Sequence, residues 1–184
     1  MQYKVQSEIG PLRFVITHKP GIEHGYVTPK NLIEKIEDNN TLIDNPDYLL
    51  FDDIIQVDKA QIEHRQLYDI LHHFTDGNCY EFTDLLKVIL EDESVKKALI
   101  NDCANLEKEL YDNDVDQGIL NSMNTQDLVD TFLSGYNKDK KILIHPIPNL
   151  IFTRDIAVCI GKTILITWSK KDVRKRENLL AKYI

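Results

Sequence analysis

The sequence predicts a mixed fold of the α/β or α+β class in which a block of helices interrupts the strands. Short apolar runs near the N-terminus and after residue 141 have the length and composition of strands. Residues 58–74 and 83–135 instead carry apolar side chains mostly at steps of three and four, which is typical of amphipathic helices. Because the main helical block lies between two β parts, we expect it to be an insertion.

The N-terminal segment begins with a strand. Residues 12–17 are mostly apolar and precede Lys19-Pro20-Gly21, a combination that predicts a turn. Thr28-Pro29 is typical of an N-cap followed by proline at the first helical position, so we expect a short helix over residues 31–36. The polar stretch at residues 38–40 then ends this helix.

The middle of the chain has helical spacing almost throughout. Residues 58–74 predict an amphipathic helix whose apolar face points to the core. Thr83 opens a second helical pattern, and Ser94 and Thr125 stand where N-caps are expected before two more. The last pattern ends at Gly135, a residue type common just after a helix. We therefore expect a small helical bundle here.

Strand character returns after residue 141. Residues 141–145 are a strand candidate, and residues 156–160 and 163–167 flank a Gly161-Lys162 pair that suits a type II′ hairpin turn. A final helix is predicted to begin near Lys171. The division that follows is an α/β part at residues 1–75, a helical insertion at residues 76–140 and a continuation of the α/β part at residues 141–184.

Charge is unevenly distributed over these segments. The 184 residues include 22 Lys and Arg and 30 Asp and Glu, a net charge of -8. The first, middle and last segments carry -5, -9 and +6. A duplex-binding protein needs a large basic surface, so we do not expect nucleic acid as a partner. The acidic helix faces are explained most simply by solubility, and the basic cluster at residues 170–176 by a solvated helix face.

Composition also bears on the cellular setting. No apolar run approaches the roughly 18 residues of a membrane span, and the first six residues lack the features of a secretion signal. Cys79, Cys103 and Cys159 are too scattered for a disulfide framework, and the six histidines lack metal-ligand spacing. We expect a cytoplasmic protein that uses no membrane, metal or other cofactor. Cys103 and Cys159 are expected to be buried as small apolar residues.

Residues 146–155 differ most from ordinary core sequence. Two prolines and Asn149 predict a fixed loop, and Phe152, Arg154 and Asp155 then place an aromatic ring, a cation and an anion within a few residues. A buried Asp155 needs a partner, which either Arg154 or a cationic ligand would supply. Composition alone favours the internal ion pair.

Motifs along nearly the whole chain resemble those of the arginine deiminase family. They are Ser7-Glu8-Ile9-Gly10-Pro11-Leu12, His18-Lys19-Pro20-Gly21, Thr28-Pro29, Leu50-Phe51-Asp52-Asp53-Ile54, Glu63-His64, residues 148–155 and residues 174–180. The Asn-Leu-x-Phe-Thr-Arg-Asp string that begins at Asn149 is the most specific of these. The helical stretch between Cys79 and Gly135 is also a trait of this family that the smaller dimethylarginine hydrolases lack. Residues 150–160 and the C-terminal residues look closest to a deiminase-related branch.

The resemblance implies a five-bladed α/β propeller, the pentein fold, and a guanidino-modifying hydrolase. Such enzymes convert free L-arginine to citrulline and ammonia with a cysteine nucleophile, a histidine acid/base and carboxylates that hold the guanidinium. Carried over to matching positions, Asp155 is a catalytic residue that binds the guanidinium and helps orient it for attack. Asn149 and Phe152 line the pocket, Arg174 pairs with the α-carboxylate, and Leu50 belongs to a loop that closes over the ligand. Arg154, Asp52 and Asp53 are expected to hold the architecture instead.

The chain also departs from the family pattern. Residues 37–48 are longer than the usual link, and Ile184 comes before the His-x-Asp/Glu segment and the late cysteine of the family. We therefore expect an N-terminal portion that associates with a missing C-terminal part or forms a homo-oligomer. The alternatives are a non-catalytic module that binds arginine or another guanidino compound, an interaction module, or an amidinotransferase, in which an amine resolves the same cysteine-bound intermediate.

Overall fold

The structure is a computed structural model that describes residues 4–7, 9–26, 33, 35–38, 41–44 and 55–184. Both helices and strands are present, which confirms the mixed fold class. The predictions made for Leu50, for Asp52 and Asp53 and for Thr28-Pro29 lie outside the described residues. No helix in the described ranges is both long and apolar enough to cross a bilayer.

The strands of the described residues are short and pair two by two. Strand β1 (Val15–Thr17) pairs in parallel with β4 (Cys79–Glu81). Strands β2 (Lys35–Asp38) and β3 (Thr41–Asp44) form one antiparallel hairpin, and β5 (Ala157–Ile160) and β6 (Thr163–Ile166) form another. The β5–β6 hairpin and its Gly161-Lys162 turn confirm that part of the prediction, since Gly161 has the positive φ of 59° that a type II′ turn needs.

Seven α-helices occur in the described part of the chain. They are α1 (Val57–Phe74), α2 (Phe82–Ile89), α3 (Glu93–Tyr111), α4 (Gln117–Ser122), α5 (Thr125–Ser134), α6 (Thr153–Ile156) and α7 (Lys175–Tyr183). Helices α1, α2, α3 and α5 confirm the predicted helical patterns. Side-chain caps fix the N-termini of three helices. Asp92, Asp116 and Asn124 accept hydrogen bonds from backbone amides in the first turns of α3, α4 and α5, respectively. Ser94 and Thr125, the expected caps, lie just inside their helices.

The core lies where the helical block meets the C-terminal third of the chain. Its largest fully buried apolar side chains are Leu86, Leu90, Leu99, Ile100, Leu120, Leu128, Phe132, Ile144, Ile147, Leu150 and Leu180. Cys103 is also completely buried in this core, as predicted. The segments that contain the candidate ligand-binding residues are therefore anchored on the helical block.

Two predicted elements are wrong. Lys35 and Ile36 belong to strand β2 rather than to a helix, because their backbone pairs with Asp44 and Ile43 of β3. Residues 141–145 form only one isolated bridge, between Tyr136 and Ile142. Their backbone is used elsewhere, because the amides of Leu143 and Ile144 both donate to the carbonyl of Gly135.

The predicted apolar face of α1 exists, but it does not pack on the core. None of the α1 residues is buried, and Ile62 and Phe74 are 64% and 69% exposed. The polar contacts of α1 include the Tyr68 hydroxyl, which donates to the carbonyl of Cys79, and Nε2 of Gln61, which donates to the carbonyl of Pro20. The prediction of a core-facing helix is thus wrong for this chain.

Cys159 is likewise exposed rather than buried. It lies in β5 as predicted, but the two-stranded hairpin leaves several of its apolar side chains at least partly open to solvent, among them Val158, Ile160, Ile164 and Leu165. A single hairpin has too few strands to cover both of its faces. Large apolar side chains therefore remain exposed on both α1 and this hairpin.

Gly135 is required both by its backbone conformation and by space. Its φ is +82°, and an added Cβ would overlap the backbone oxygen of Ile144. We predict that Gly135→Ala lowers the free energy of unfolding by more than about 2 kcal/mol, because strain and overlap add. Gly161→Ala is the matched control, since Gly161 also has a positive φ but has open space around it. It should cost about 1 kcal/mol in denaturant unfolding; equal losses would show that the overlap is relieved.

Candidate functional site

The loop before β5 is folded as two consecutive turns. Residues Pro148–Ile151 form a 3-10 turn with proline near its start, and α6 follows directly after Phe152. Leu150 and Ile156 are buried while Phe152 and Asp155 are exposed, so the two aliphatic residues anchor the loop and leave Phe152 and Asp155 available to solvent. The Thr153 hydroxyl donates to the carbonyl of Ile16, which ties this loop to β1. The predicted irregular loop is thus confirmed.

Asp155 forms an ion pair with Arg174. Nη1 of Arg174 donates to Oδ2 of Asp155 at 2.9 Å, and the guanidinium carbon lies 5.8 Å from the centre of the Phe152 ring. The Asp155 side chain is 51% exposed, whereas that of Arg174 is 19% exposed. An anion, a cation and an aromatic ring therefore meet at a site that is open to solvent.

The predicted Arg154–Asp155 pair is wrong. Asp155 is not buried, and its partner comes from 19 residues further along the chain. Arg154 is exposed on the same helical turn. Consecutive residues of a helix point in different directions and do not face each other, so adjacency in sequence does not make this contact.

A second carboxylate holds Arg174 from the other side. Glu177, on α7, is completely buried and accepts a hydrogen bond of 3.1 Å from Nε of Arg174. Burial raises the pKa of Glu177 above the usual range of a carboxyl group, and the adjacent charge of Arg174 opposes this rise. For Arg174, burial lowers the pKa, but the charges of Glu177 and Asp155 outweigh it and raise the pKa above its usual value. Sequence reasoning missed Glu177; its only signal is an acidic residue three positions after Arg174, within a basic cluster.

The backbone of Asp155 is also fixed by side chains. The Thr167 hydroxyl donates to the carbonyl of Asp155 at 2.5 Å and accepts from Nδ2 of Asn178 at 2.9 Å. Oδ1 of Asn178 in turn accepts the amide of Ser169 at 3.0 Å. Both members of the Asp155–Arg174 pair are therefore supported by adjacent residues of α7.

The other predicted site residues are placed less directly. Asn149 is buried in the 3-10 turn, where its carbonyl accepts the amide of Phe152 at 3.0 Å. A hydrogen bond from its side chain to Asp155 or Arg174 is not among the contacts of the described residues. Leu50 lies outside the described part of the chain. The structure thus brings together Asp155, Phe152 and Arg174, and Asn149 lies in the same loop without such a contact among the described residues.

The three cysteines differ in their chemistry. Burial raises the pKa of the Cys103 thiol to about 12 and also raises the pKa of Cys79. A nucleophilic cysteine needs a thiolate, so these two thiols are unsuited to attack a substrate. Cys159 is exposed on β5.

A histidine cluster forms at the start of the chain. Oε1 of the buried Glu23 lies 3.2 Å from Nε2 of His18 and 3.4 Å from Nε2 of His24. Burial alone would raise the pKa of Glu23. The hydrogen bond between Glu23 and His18 and the electrostatic attraction between them outweigh burial, so the pKa of Glu23 is lowered. The 3-10 turn Ile22–Tyr26, which carries this cluster, packs on α5. No set of three or more His, Cys, Asp or Glu residues in the described ranges is arranged to hold a metal ion.

A buried ion pair connects the site to the helical block. Nη1 of Arg176 donates to Oε1 of Glu107 at 2.5 Å, and Nη2 donates to the carbonyls of Phe132 and His145. Oε2 of Glu107 lies 2.9 Å from Nδ1 of His145 and accepts a hydrogen bond from it when Nδ1 carries the hydrogen. Arg176 lies two residues after Arg174, so this contact fixes the start of α7 against α3.

Taken together, the fold and site define a mixed α/β chain with a paired anion and cation at a solvent-accessible site. Residues 107–184 match the family model described as arginine deiminase. The chain is 27% identical over 193 residues to the arginine deiminase of Metamycoplasma arthritidis and 29% identical over 199 residues to that of Staphylococcus aureus strain Newman. These alignments cover 98% of this chain but 44% and 45% of those proteins.

These matches confirm the resemblance inferred from the motifs. The chain is similar to arginine deiminases over 98% of its length, and the family model matches its last 78 residues. It spans less than half the length of the curated relatives that it matches. The family model covers Asp155, Phe152, Asn149 and Arg174.

We predict that Arg176→Ala lowers the free energy of unfolding by about 3–5 kcal/mol, because it leaves Glu107 buried without its cationic partner. Lys175→Ala is the matched control. Lys175 pairs with the half-exposed Asp172 at 2.7 Å, and loss of such a pair costs at most about 1 kcal/mol. Denaturant unfolding of both variants measures the difference. Similar losses would contradict the view that the buried pair is the main link.

Proposed function

We propose that this chain is the ligand-binding N-terminal portion of an arginine deiminase-type hydrolase. In this proposal the complete protein converts L-arginine to citrulline and ammonia through a cysteine-bound amidino intermediate. The cysteine and the histidine lie outside this chain, which agrees with the raised pKa values of the buried Cys79 and Cys103. The observation that carries the proposal is the solvent-accessible Asp155–Arg174 pair beside Phe152.

The two charges of this pair match the two ends of arginine. The Asp155 carboxylate can accept two parallel N–H bonds from a ligand guanidinium, and the Arg174 guanidinium can pair with a ligand carboxylate. Without ligand, Asp155 and Arg174 neutralise each other. A zwitterion with both groups would exchange this one ion pair for two. The Phe152 ring adds a face on which a planar cation can stack.

The pair also explains how the reaction would be supported. The guanidinium carbon is electrophilic only while the group is protonated, and Asp155 would favour that charged form. A thiolate from outside this chain would attack this carbon and ammonia would leave. Water would then attack the amidino carbon, release the thiolate and yield citrulline. In this scheme Asp155 and Arg174 bind and orient the substrate.

The exposed apolar surfaces support the proposed architecture. Residues 1–75 and 141–184 would belong to a five-bladed propeller, with residues 76–140 as a helical insertion. Such an assembly would cover the exposed apolar side chains of α1 and of the β5–β6 hairpin with the rest of the propeller or with another subunit. The proposed setting is cytoplasmic, and the proposed partner is a small guanidino compound rather than nucleic acid.

A non-catalytic guanidino-binding module is the second candidate. It is favoured by one observation, namely that Asp155, Phe152 and Arg174 are suited to bind a ligand, whereas none of them is a nucleophile. This candidate predicts arginine binding without turnover in the complete gene product. Citrulline release by that product would refute it, and transfer of the amidino group to an added amine would indicate the amidinotransferase variant.

We predict that the gene product carrying these residues binds L-arginine in a calorimetric titration and that Asp155→Asn weakens binding at least about tenfold, since a charged acceptor is lost. Asp172→Asn is the matched control, because Asp172 is a surface carboxylate that pairs with Lys175 rather than with Arg174. It should leave binding unchanged. Absence of heat with the unmodified protein would contradict guanidino binding and favour an interaction role. Citrulline release by residues 1–184 alone would contradict an external cysteine.

We also predict that residues 1–184, produced alone, self-associate and bind a dye that reports exposed apolar surface. Leu165→Lys on the hairpin should reduce both effects, because it places a charge among the exposed apolar side chains. Analytical ultracentrifugation with dye fluorescence measures them. A monomer without dye binding would count against the proposed incomplete propeller.

A further inference from the structure

We propose that Glu177 is a positioning residue for Arg174. It holds the guanidinium by one edge, so that Nη1 stays directed at the place where a ligand carboxylate binds. This inference rests on the proposed function and deepens it, because it names the group that prepares the site for an amino acid. Glu177 itself would not touch the ligand.

The two carboxylates on Arg174 take different parts of its guanidinium. Oε2 of Glu177 lies 3.1 Å from both Nε and Nη2, along the side of the group. Asp155 takes Nη1 at the end of the group, at 2.9 Å. A guanidinium has five N–H donors in a rigid planar fork, so fixing one edge also fixes the direction of the other.

The same two carboxylates differ completely in exposure. The Asp155 side chain is half exposed, whereas that of Glu177 has no exposed surface. A ligand that arrives from solvent can therefore replace Asp155 on Nη1 but cannot reach Glu177. In the bound state Arg174 would keep Glu177 and exchange Asp155 for the ligand carboxylate, while Asp155 becomes available for the ligand guanidinium.

Glu177 is held in place by both of its neighbours on α7. Arg176 is fixed by Glu107 and by two backbone carbonyls of the helical block. Asn178 is fixed by the Thr167 hydroxyl and the Ser169 amide. These contacts lie on different sides of the helix, so the first turn of α7 cannot rotate without breaking buried bonds. The Glu177 carboxylate is thereby a rigid support for Arg174.

Because Glu177 is buried, its carboxylate depends on Arg174 for a partner, and Arg174 is in turn held in place by Glu177. An ionised carboxylate without exposed surface is costly unless it is paired. The other oxygen of Glu177, Oε1, makes no hydrogen bond within the part of the chain that the structure describes. Arg174 is thus the cation that Glu177 directly contacts. Movement of Arg174 toward solvent would leave a buried carboxylate unpaired, which favours the held position.

The test compares L-arginine with agmatine, which has the same guanidinium and alkyl chain but no carboxylate. Both are titrated calorimetrically into the complete gene product and into Glu177→Gln, which loses the negative charge but keeps similar volume. We expect Glu177→Gln to weaken L-arginine binding by about tenfold or more and agmatine binding by less than about threefold. In turnover assays, the KM for L-arginine should rise more than kcat falls.

Two further variants complete the test. Asp172→Asn removes the ion pair between Asp172 and Lys175, which does not include Arg174, and it should change neither affinity. If Glu177→Gln fails to fold, Glu177→Asp keeps the charge and withdraws the carboxylate by one methylene. It should again weaken L-arginine more than agmatine. Thermal unfolding of each variant confirms that the folded protein is being titrated.

The outcomes separate this inference from the proposed function. If the unmodified protein binds L-arginine and the Glu177 variants bind it equally well, the positioning role is overturned and the proposed function stands. Equal loss of L-arginine and agmatine also overturns it, because it indicates a general structural role. If the unmodified protein binds neither ligand, the proposed function fails, and this inference fails with it.

Discussion

The buried ion pair between Glu107 and Arg176 is the contact on which the rest of the described structure depends. It joins α3 to α7, and the second Glu107 oxygen reaches His145, so one carboxylate connects three distant parts of the chain. Buried charges are tolerated only when their hydrogen-bonding capacity is largely used. Glu107 and Arg176 meet this demand with each other and with backbone groups, which makes their relative placement specific.

The candidate site inherits its geometry from this contact. Three consecutive residues of α7 have different roles. Arg176 anchors the helix to the helical block, Glu177 holds Arg174, and Asn178 supports the backbone of Asp155 through Thr167. The charged groups of the Asp155–Arg174 pair are therefore positioned by the buried side chains of Arg176, Glu177 and Asn178. In the proposed function, Asp155 and Arg174 separate to bind the ligand while Arg176, Glu177 and Asn178 keep their contacts.

The parts of this structure that depend on residues close together in sequence could be predicted. The spacing of apolar residues predicts α1, α3 and α5, Gly135 predicts the end of α5, and Gly161 predicts the hairpin turn. Prediction failed where distant residues decide. The partner of Asp155 lies 19 residues away in sequence. Residues 141–145 do not form a strand, because the amides of Leu143 and Ile144 donate to the carbonyl of Gly135 instead. Glu177 escaped notice because its burial is a property of the packed chain and not of its neighbours in sequence.

The parallel pairing of β1 with β4 has a consequence for the order in which the chain assembles. Helices α2 to α5 form largely from nearby residues, and such contacts become available early during synthesis. Strand β1 must wait for residues 79–81, and the bond from the Thr153 hydroxyl to the carbonyl of Ile16 joins residues 137 positions apart. The loop at residues 148–155 can thus dock on the first strand only after residue 153 has been synthesised. By then the helical block would already be folded, and β1 and the loop at residues 148–155 would pack onto it afterwards.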